Sequence, residues 1–399
     1  MIPLAHSYDA ALLDLDGTVY LGGTVIEHVP AALTAAKAAG MITVYLTNNA
    51  SRPPHEVAAS LVQMGIQAAP DDVLSSPQVA AELLSAAHPA GSAVLVVGAP
   101  YLHDAVASAG LRPVRSAADA PVAVVQGHSP DTGWRELAEA CIALRSGADW
   151  VACNTDSTLP TDRGLLPGNG AMVAALVAAT GLQPRVAGKP ARPLLDAAIA
   201  RCGAERPLVV GDRLDTDIEA AAAAGLPSLM PLTGVNTATD LLTAPPNRRP
   251  SYVSFDLRGL VDADLVVNLP EARGRSDGAA GADRSYNTRH PDNPRHPDNP
   301  HRTDSGQHTD SMQQRQRIGA PAAEWTVTAD ADRLTLAAGT ADIDPADDGA
   351  TLRALAMLLS AAWQQPDRRP RVFADDPAAA SALTRLGIST EPAAGADQG

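Results

Sequence analysis

The sequence predicts an α/β fold, a parallel sheet covered by helices on both faces, with a small α+β unit at its C-terminal end. Three observations predict it. Through the first 270 residues short apolar runs alternate with Ala-rich stretches of helical pattern, as strand–helix–strand units require. From residue 271 to 320 apolar residues nearly vanish. From residue 324 they return in shorter runs.

In chain order, residues 11–14 are the first strand, 29–39 a helix, 42–47 the second strand and 53–64 a helix. Further strands fall at 94–97, 122–126, 150–153, 207–210 and 227–230, with helices at 134–144, 171–180, 193–201 and 216–224. Open parallel sheets bind ligands beyond the C-terminal ends of their strands, so chemistry is sought just past each apolar run. Residues 271–320 carry the hexapeptide Arg-His-Pro-Asp-Asn-Pro twice, at 289–294 and 295–300. So polar a stretch cannot bury enough apolar surface to offset its ordering entropy and reads as a disordered linker. Its histidines, His290, His296, His301 and His308, read as part of a solvated low-complexity tract rather than as a metal site. Beyond it, strands at 325–328, 334–337 and 372–373 and helices at 352–363 and 377–386 make a unit too small to be robust alone. It is expected to pack against something.

At 399 residues the chain has room for two or three domains. Aromatic residues make up only 3%, so the core must rest on Ala, Leu and Val. No apolar run is long enough to span a membrane, and the first eight residues show no secretion signal. Cys141, Cys153 and Cys202 are spaced for neither a disulfide framework nor a zinc site, which suits a reducing cytoplasm. The net charge of −15 argues against sequence-independent nucleic-acid binding, which needs a basic surface. It also means that any site for phosphate must supply its own positive charge.

The strongest motif is Asp14-Leu15-Asp16-Gly17-Thr18, directly after the first strand. Two carboxylates two residues apart at a strand end can take distinct roles, Asp14 as a nucleophile on phosphorus and Asp16 as the acid and base. Gly17 permits the sharp turn. Thr47-Asn48-Asn49 ends the second strand and offers a hydroxyl and backbone N–H groups to phosphoryl oxygens. Gly188-Lys189-Pro190 places a compact positive charge before a helix, without the spacing of a Walker loop. Gly211-Asp212-Arg213-Leu214-Asp215-Thr216-Asp217 again follows an apolar strand, where Asp212 can complete a Mg²⁺ site with Asp14. Asp217, one turn on, can orient waters or Lys189, while Asp215 fits an N-cap.

These four elements, in this order, resemble the phosphatases of the haloacid dehalogenase superfamily over residues 8–265. The resemblance implies a Rossmann-like core made of residues 1–78 and 183–270, with an inserted α/β cap of the larger (C2) type at 79–182. It implies Asp14 as nucleophile and Asp16 as general acid/base, phosphate bound by Thr47, Asn48 and Lys189, and Mg²⁺ held by Asp14, Asp212 and the backbone carbonyl of Asp16, with Asp217 in support. Within the cap, Asn154-Thr155-Asp156, Leu159-Pro160-Thr161 and Pro167-Gly168-Asn169-Gly170 resemble the subclass that contains 4-nitrophenylphosphatases, phosphoglycolate phosphatase and pyridoxal phosphatase. That implies Asn154, Asp156 and Leu159 near the substrate. With its tail, residues 321–399, the chain is similar to an actinobacterial glycerol 3-phosphate phosphatase family whose C-terminal domain resembles a truncated acetyltransferase. The glycine-rich loop that would cradle an acyl-CoA pyrophosphate is missing; the nearest match, residues 316–321, fails at its last position and falls in the linker.

The expected partner is a small phosphate ester, with no nucleic acid and no membrane span, and a homodimer through the cap or the C-terminal domain. Glycerol 3-phosphate is the leading substrate; phosphoglycolate, nucleoside monophosphates and sugar phosphates stay open. Phosphoryl transfer to a sugar and an inactive sugar-phosphate sensor are the rival readings. The complete set of Asp14, Asp16, Thr47, Lys189 and Asp212 speaks against a sensor.

Overall fold

The computed structural model describes residues 2–269, 316–318 and 324–390, apart from 162, 331, 340–342, 345 and 365–368. The expected linker lies outside the described residues, histidines included, except for Gln316–Ile318. Those three residues form a strand, paired antiparallel with Trp325–Asp330. The partial acyl-CoA loop match at 316–321 therefore starts in a sheet, not in a linker.

The main sheet has seven strands among the described residues, in the order Val266–Asn268, Tyr252–Ser254, Ser228–Pro231, Pro207–Val210, Ala10–Asp14, Ile42–Thr47, Val73–Ser75. All are parallel except the first, which runs antiparallel to its neighbour. Ala10–Asp14 lies between Pro207–Val210 and Ile42–Thr47, with Leu12 opposite both Val209 and Val44. Its first four residues are fully buried, which is why they read as an unbroken apolar run rather than an alternating one. Helices on the two faces seal it: Val29–Ala38 and Pro54–Gln63 share one apolar cluster with Leu13 and Val210, and Pro193–Cys202 shares another with Leu12 and Val209. Several helices carry proline in the first turn, where its missing N–H is harmless.

A second, wholly parallel sheet of five strands has the order Arg185–Val186, Asp149–Ala152, Ala123–Gln126, Ala93–Val97, Arg112–Val114. It interrupts the main sheet between Val73–Ser75 and Pro207–Val210. Arg185–Val186 lies beyond the expected end of the insertion at residue 182, because a two-residue strand carries no readable period. A hairpin, Thr158–Thr161 with Gly164–Pro167, projects from this unit.

The C-terminal unit is a four-stranded sheet, Gln316–Ile318, Trp325–Asp330, Arg333–Ala338, Arg371–Ala374, with helices Asp348–Trp363 and Pro377–Arg385. It has no separate core. Trp325, Leu355, Leu358 and Trp363 belong to one apolar cluster with Leu214, Ile218, Met230, Leu241 and Val267 of the main-sheet unit. The Trp363 indole N–H donates to the Leu241 carbonyl at 2.8 Å, under the Arg249 guanidinium, 4.7 Å from the ring centroid. Asp348 pairs with Arg258 at 3.3 Å and with Arg385 at the rim. The expectation that the small unit packs against something is met by the back of the main sheet.

Candidate active site

Parallel register brings the functional tips together. Asp14 is the last residue of the central strand and pairs with Leu46, so Thr47 emerges beside it. On the other side Leu13 pairs with Val210, two residues before Asp212. Gly17 turns the chain away at φ +87°, its N–H donating to Tyr20 O at 2.8 Å, while Thr233 Oγ1 donates to the Gly17 carbonyl at 2.6 Å. A Cβ at Gly17 or at Gly234 would collide with the Asp212 carboxylate, and one at Gly211 with Asp217. Three glycines thus leave the room that these carboxylates occupy.

Asp14, Asp212 and Asp217 each place a carboxylate oxygen within 4.8 Å of the others. The Asp212 and Asp217 side chains are buried and Asp14 keeps a small opening to solvent. Asp212 is fixed by Thr18 Oγ1, which donates at 3.2 Å, and by the Val235 N–H at 2.7 Å. Asp217 stands on a π-helical turn, Leu214–Ile218, where the first turn of the predicted 216–224 helix was expected. The wider turn lets its carboxylate reach back to the Arg213 N–H at 3.2 Å; such turns often mark functional positions. Asp215 forms a bidentate pair with Arg213, at 3.1 and 3.0 Å, instead of capping a helix.

Lys189 is one of two lysines in the sequence. It is buried, and its ammonium pairs with Asp14 and, at 2.6 Å, with Asp217. Burial works to lower its pKa, but Asp14 and Asp217 outweigh that and raise it above the ordinary lysine value, so the group stays charged. Burial raises Asp14 well above the usual carboxylate range, with Asp217 and Asp212 adding to the effect and Lys189 opposing it. Burial pushes Asp212 up to about 6, aided by Asp217. Three carboxylates against one ammonium leave excess negative charge in a dry place, and an all-oxygen donor set suits a hard divalent cation such as magnesium.

Asp16 stands outside this group, exposed and bridged to Tyr20. Desolvation of its carboxyl by the surrounding protein still raises its pKa, against Lys189 and Arg52. Thr47 Oγ1 accepts from the Asn49 N–H at 3.0 Å, which folds the loop into a turn of N–H groups past the strand. The Asn48 side chain is fully engaged, Oδ1 accepting from the Lys189 N–H and Nδ2 donating to the Lys189 carbonyl, both at 2.9 Å. Only its backbone remains to meet a phosphate. Asn154 and Asp156 reach the same place, Asn154 Nδ2 donating to Asn48 O at 2.7 Å and Asp156 Oδ2 accepting from Asn48 Nδ2 at 3.2 Å. Leu159, half-buried on the hairpin, has no polar link to the cluster. Sequence reasoning missed the loop 233–236, whose Val235 N–H and Gly234 shape the Asp212 site; it follows a strand with no chemical residue to flag it.

Family models match at residues 11–112 (haloacid dehalogenase-like hydrolase), 186–260 (HAD-hydrolase-like) and 322–388 (GCN5-related N-acetyltransferase like domain). A D-glycerol 3-phosphate phosphatase of Mycobacterium tuberculosis is 52% identical over 283 residues, 71% of this chain and 79% of that one. The chain belongs to the haloacid dehalogenase-like hydrolases. Other members include an acid sugar phosphatase of Staphylococcus aureus, 34% identical over 63% of this chain and 95% of its own. The crystal structure of the M. tuberculosis glycerol phosphate phosphatase in complex with magnesium superposes with a TM-score of 0.76 at 41% identity, covering 98% of this chain and all of that one. A 4-nitrophenylphosphatase of Thermotoga maritima gives 0.60 at 30% identity, over 65% of this chain and 98% of its own. This haloacid dehalogenase-like hydrolase is a phosphatase, with a parallel-sheet core and a C-terminal acetyltransferase-like unit. Among the described residues no helix is long and apolar enough to cross a membrane.

Proposed function

We propose that the protein is a magnesium-dependent phosphomonoester hydrolase whose substrate is glycerol 3-phosphate or a phosphate ester of similar size. The observation that carries this is the convergence of Asp14, Asp212 and Asp217 around the buried Lys189 ammonium. Asp14, Asp212 and the Asp16 backbone carbonyl would hold the ion, with Asp217 beside them. Magnesium bound there supplies positive charge to phosphoryl oxygens. Asp14 attacks phosphorus, forming an aspartyl phosphate as the P–O bond to the leaving alkoxide breaks. Asp16 gives that alkoxide its proton; its raised pKa keeps more of the acid form near neutrality. Asp16 then takes a proton from the water that cleaves the acyl phosphate. Lys189, Thr47 and the N–H groups that follow it hold the phosphoryl oxygens, and positioned charge of this kind provides most of the acceleration in phosphoryl transfer.

Residues 1–78 and 183–270 serve as the catalytic core and 79–182 as a cap that excludes bulk water, with its last strand, Arg185–Val186, taken from beyond that span. Asn154, Asp156 and Leu159 belong to the cap's contribution to the site. The substrate assignment rests on the M. tuberculosis relative. A cytoplasmic setting is supported by three free cysteines. A homodimer contact is best placed on the cap, where Trp134 and Ile142 of one helix are exposed, since the tail's apolar surface is already spent on the core. The test is phosphate release across a panel of small esters, with magnesium and with chelator. Release from glycerol 3-phosphate that chelator abolishes supports the reading; an isomeric phosphate with little free phosphate would point to a mutase, and no turnover of any ester to a sensor.

A further inference from the structure

Asn48 joins three segments that are far apart in the sequence. Its amide spans the main chain of Lys189, Oδ1 accepting from the N–H and Nδ2 donating to the carbonyl, each at 2.9 Å. Its own carbonyl accepts from Asn154 Nδ2 at 2.7 Å and from Ser76 Oγ at 3.0 Å, and its Nδ2 also meets Asp156 Oδ2 at 3.2 Å. Asn154 is held in turn, its carbonyl accepting from Asn169 Nδ2 at 2.7 Å. The packing leaves no slack: a Cβ at Gly188 would collide with Asn48 Oδ1. From this doubly bonded residue the Lys189 side chain reaches the Asp14 and Asp217 carboxylates.

We propose that the Asn48 side chain is a positioning residue for Lys189: it fixes the lysine's main chain so that the ammonium stands against Asp14, and the cap's Asn154 and Asp156 hold Asn48 in place. This rests on the phosphatase reading above. The chemistry requires it because a long, flexible lysine stem aims a charge well only from a fixed base, and a displacement of about 1 Å in a reacting group can cost on the order of 100-fold in rate. The two bonds grip the peptide groups on either side of the Lys189 Cα, which restrains the backbone from which the side chain departs. The geometry also explains why an amide stands here: Asp could accept from the Lys189 N–H but could not donate to its carbonyl.

A double-mutant cycle on the full chain tests this. Asn48→Ala and Asn48→Asp are made with Lys189 intact and with Lys189→Ala. These four, with the wild type and Lys189→Ala as references, are read as kcat/KM and as affinity for inorganic phosphate in magnesium. Every variant keeps the backbone N–H of residue 48, so a direct main-chain contact to phosphate is undisturbed. With Lys189 present, loss of the amide should lower kcat/KM by about tenfold or more and weaken phosphate binding. With Lys189→Ala, the same change should cost less than about twofold. Equal losses in both backgrounds would overturn the inference, because Asn48 would then act independently of the lysine. If Asn48→Ala does not fold, the isosteric Asn48→Asp supplies the cycle. A wild-type chain that released no phosphate would instead remove the phosphatase reading itself.

Discussion

The site is held from two sides by different means. In front, the cap meets the strand-tip loops through directional amide bonds, from Asn169 to Asn154 to Asn48 to Lys189. Behind, the C-terminal unit meets them through buried apolar surface: Leu214 and Ile218, which bracket Asp217 on its π-helical turn, share a cluster with Trp325, Leu355 and Trp363. The same cluster includes Ala238 and Leu241, just after the loop that gives Val235 to Asp212. Hydrogen bonds fix one group to within tenths of an ångström and contribute about 1 kcal/mol each. Apolar burial is indifferent to direction and contributes more in total. The front therefore governs where one charge sits, and the back governs whether the acidic loops stay folded.

The largest effect should come from the carboxylate that both sides serve. Asp14→Asn should cut phosphate release by about 10⁴-fold or more with the circular dichroism spectrum unchanged; full activity in that variant would end the nucleophile assignment and with it the reason to compare the two sides. Next, Trp363→Ala behind the site should cost about 3–5 kcal/mol in urea unfolding, as large aromatic truncations do, and raise the magnesium needed for half-maximal rate. Asn154→Ala in front should cost nearer 1 kcal/mol in stability while lowering kcat. If the two variants traded these signatures, the division of labour would be reversed.

A smaller effect follows from Asp212, raised to about 6 chiefly by burial. It must be ionised to hold a cation. The magnesium-induced rise in Tm should therefore be full above pH 6 and shrink below it, by about tenfold in affinity per pH unit. Without magnesium the sign reverses. A carboxyl raised from its usual 3.8 stabilises the fold when neutral, and that contribution is lost as pH climbs through about 6. A metal-free Tm that rose between pH 4 and 6 in wild type, and identically in Asp212→Asn, would exclude this group as the cause. The smallest effect should be at the rim of the rear interface, where Arg385→Ala removes a partly exposed pair with Asp348 and should change stability by no more than about 1 kcal/mol.

Much of this was legible in the sequence, for identifiable reasons. Ile42–Thr47 and Pro207–Val210 are buried along most or all of their length, so their apolar runs mark both the strand and the tip where chemistry begins. Asp14, Thr47 and Asp212 stand at or just past such tips, whereas Lys189 follows the short, partly exposed Arg185–Val186 and was singled out by its Gly-Lys-Pro setting. Ser76–Ala87 and Pro100–Ser108 were not read as helices. Alanine, common in both, marks neither an inner nor an outer face. The hairpin at Thr158–Thr161 and Gly164–Pro167 was missed because its second strand is exposed throughout and shows no alternation. The tail's attachment had a partial signal: beyond its first residue, Asp348–Trp363 leaves only a narrow stripe less buried, at Arg353, Ala356, Met357 and Ser360, so most of its circumference needs cover. The Asn48 clamp had none, since its partner lies 141 residues away and nothing local betrays a side chain's distant hydrogen bonds.

The crowding of Asp212 and Asp217 by Gly17, Gly211 and Gly234 has a consequence for how this enzyme can vary. In a saturation map of viable substitutions, these three silent positions should be as intolerant as the acids they flank, alanine included. One added methyl group at any of the three would close the vault that the two carboxylates fill.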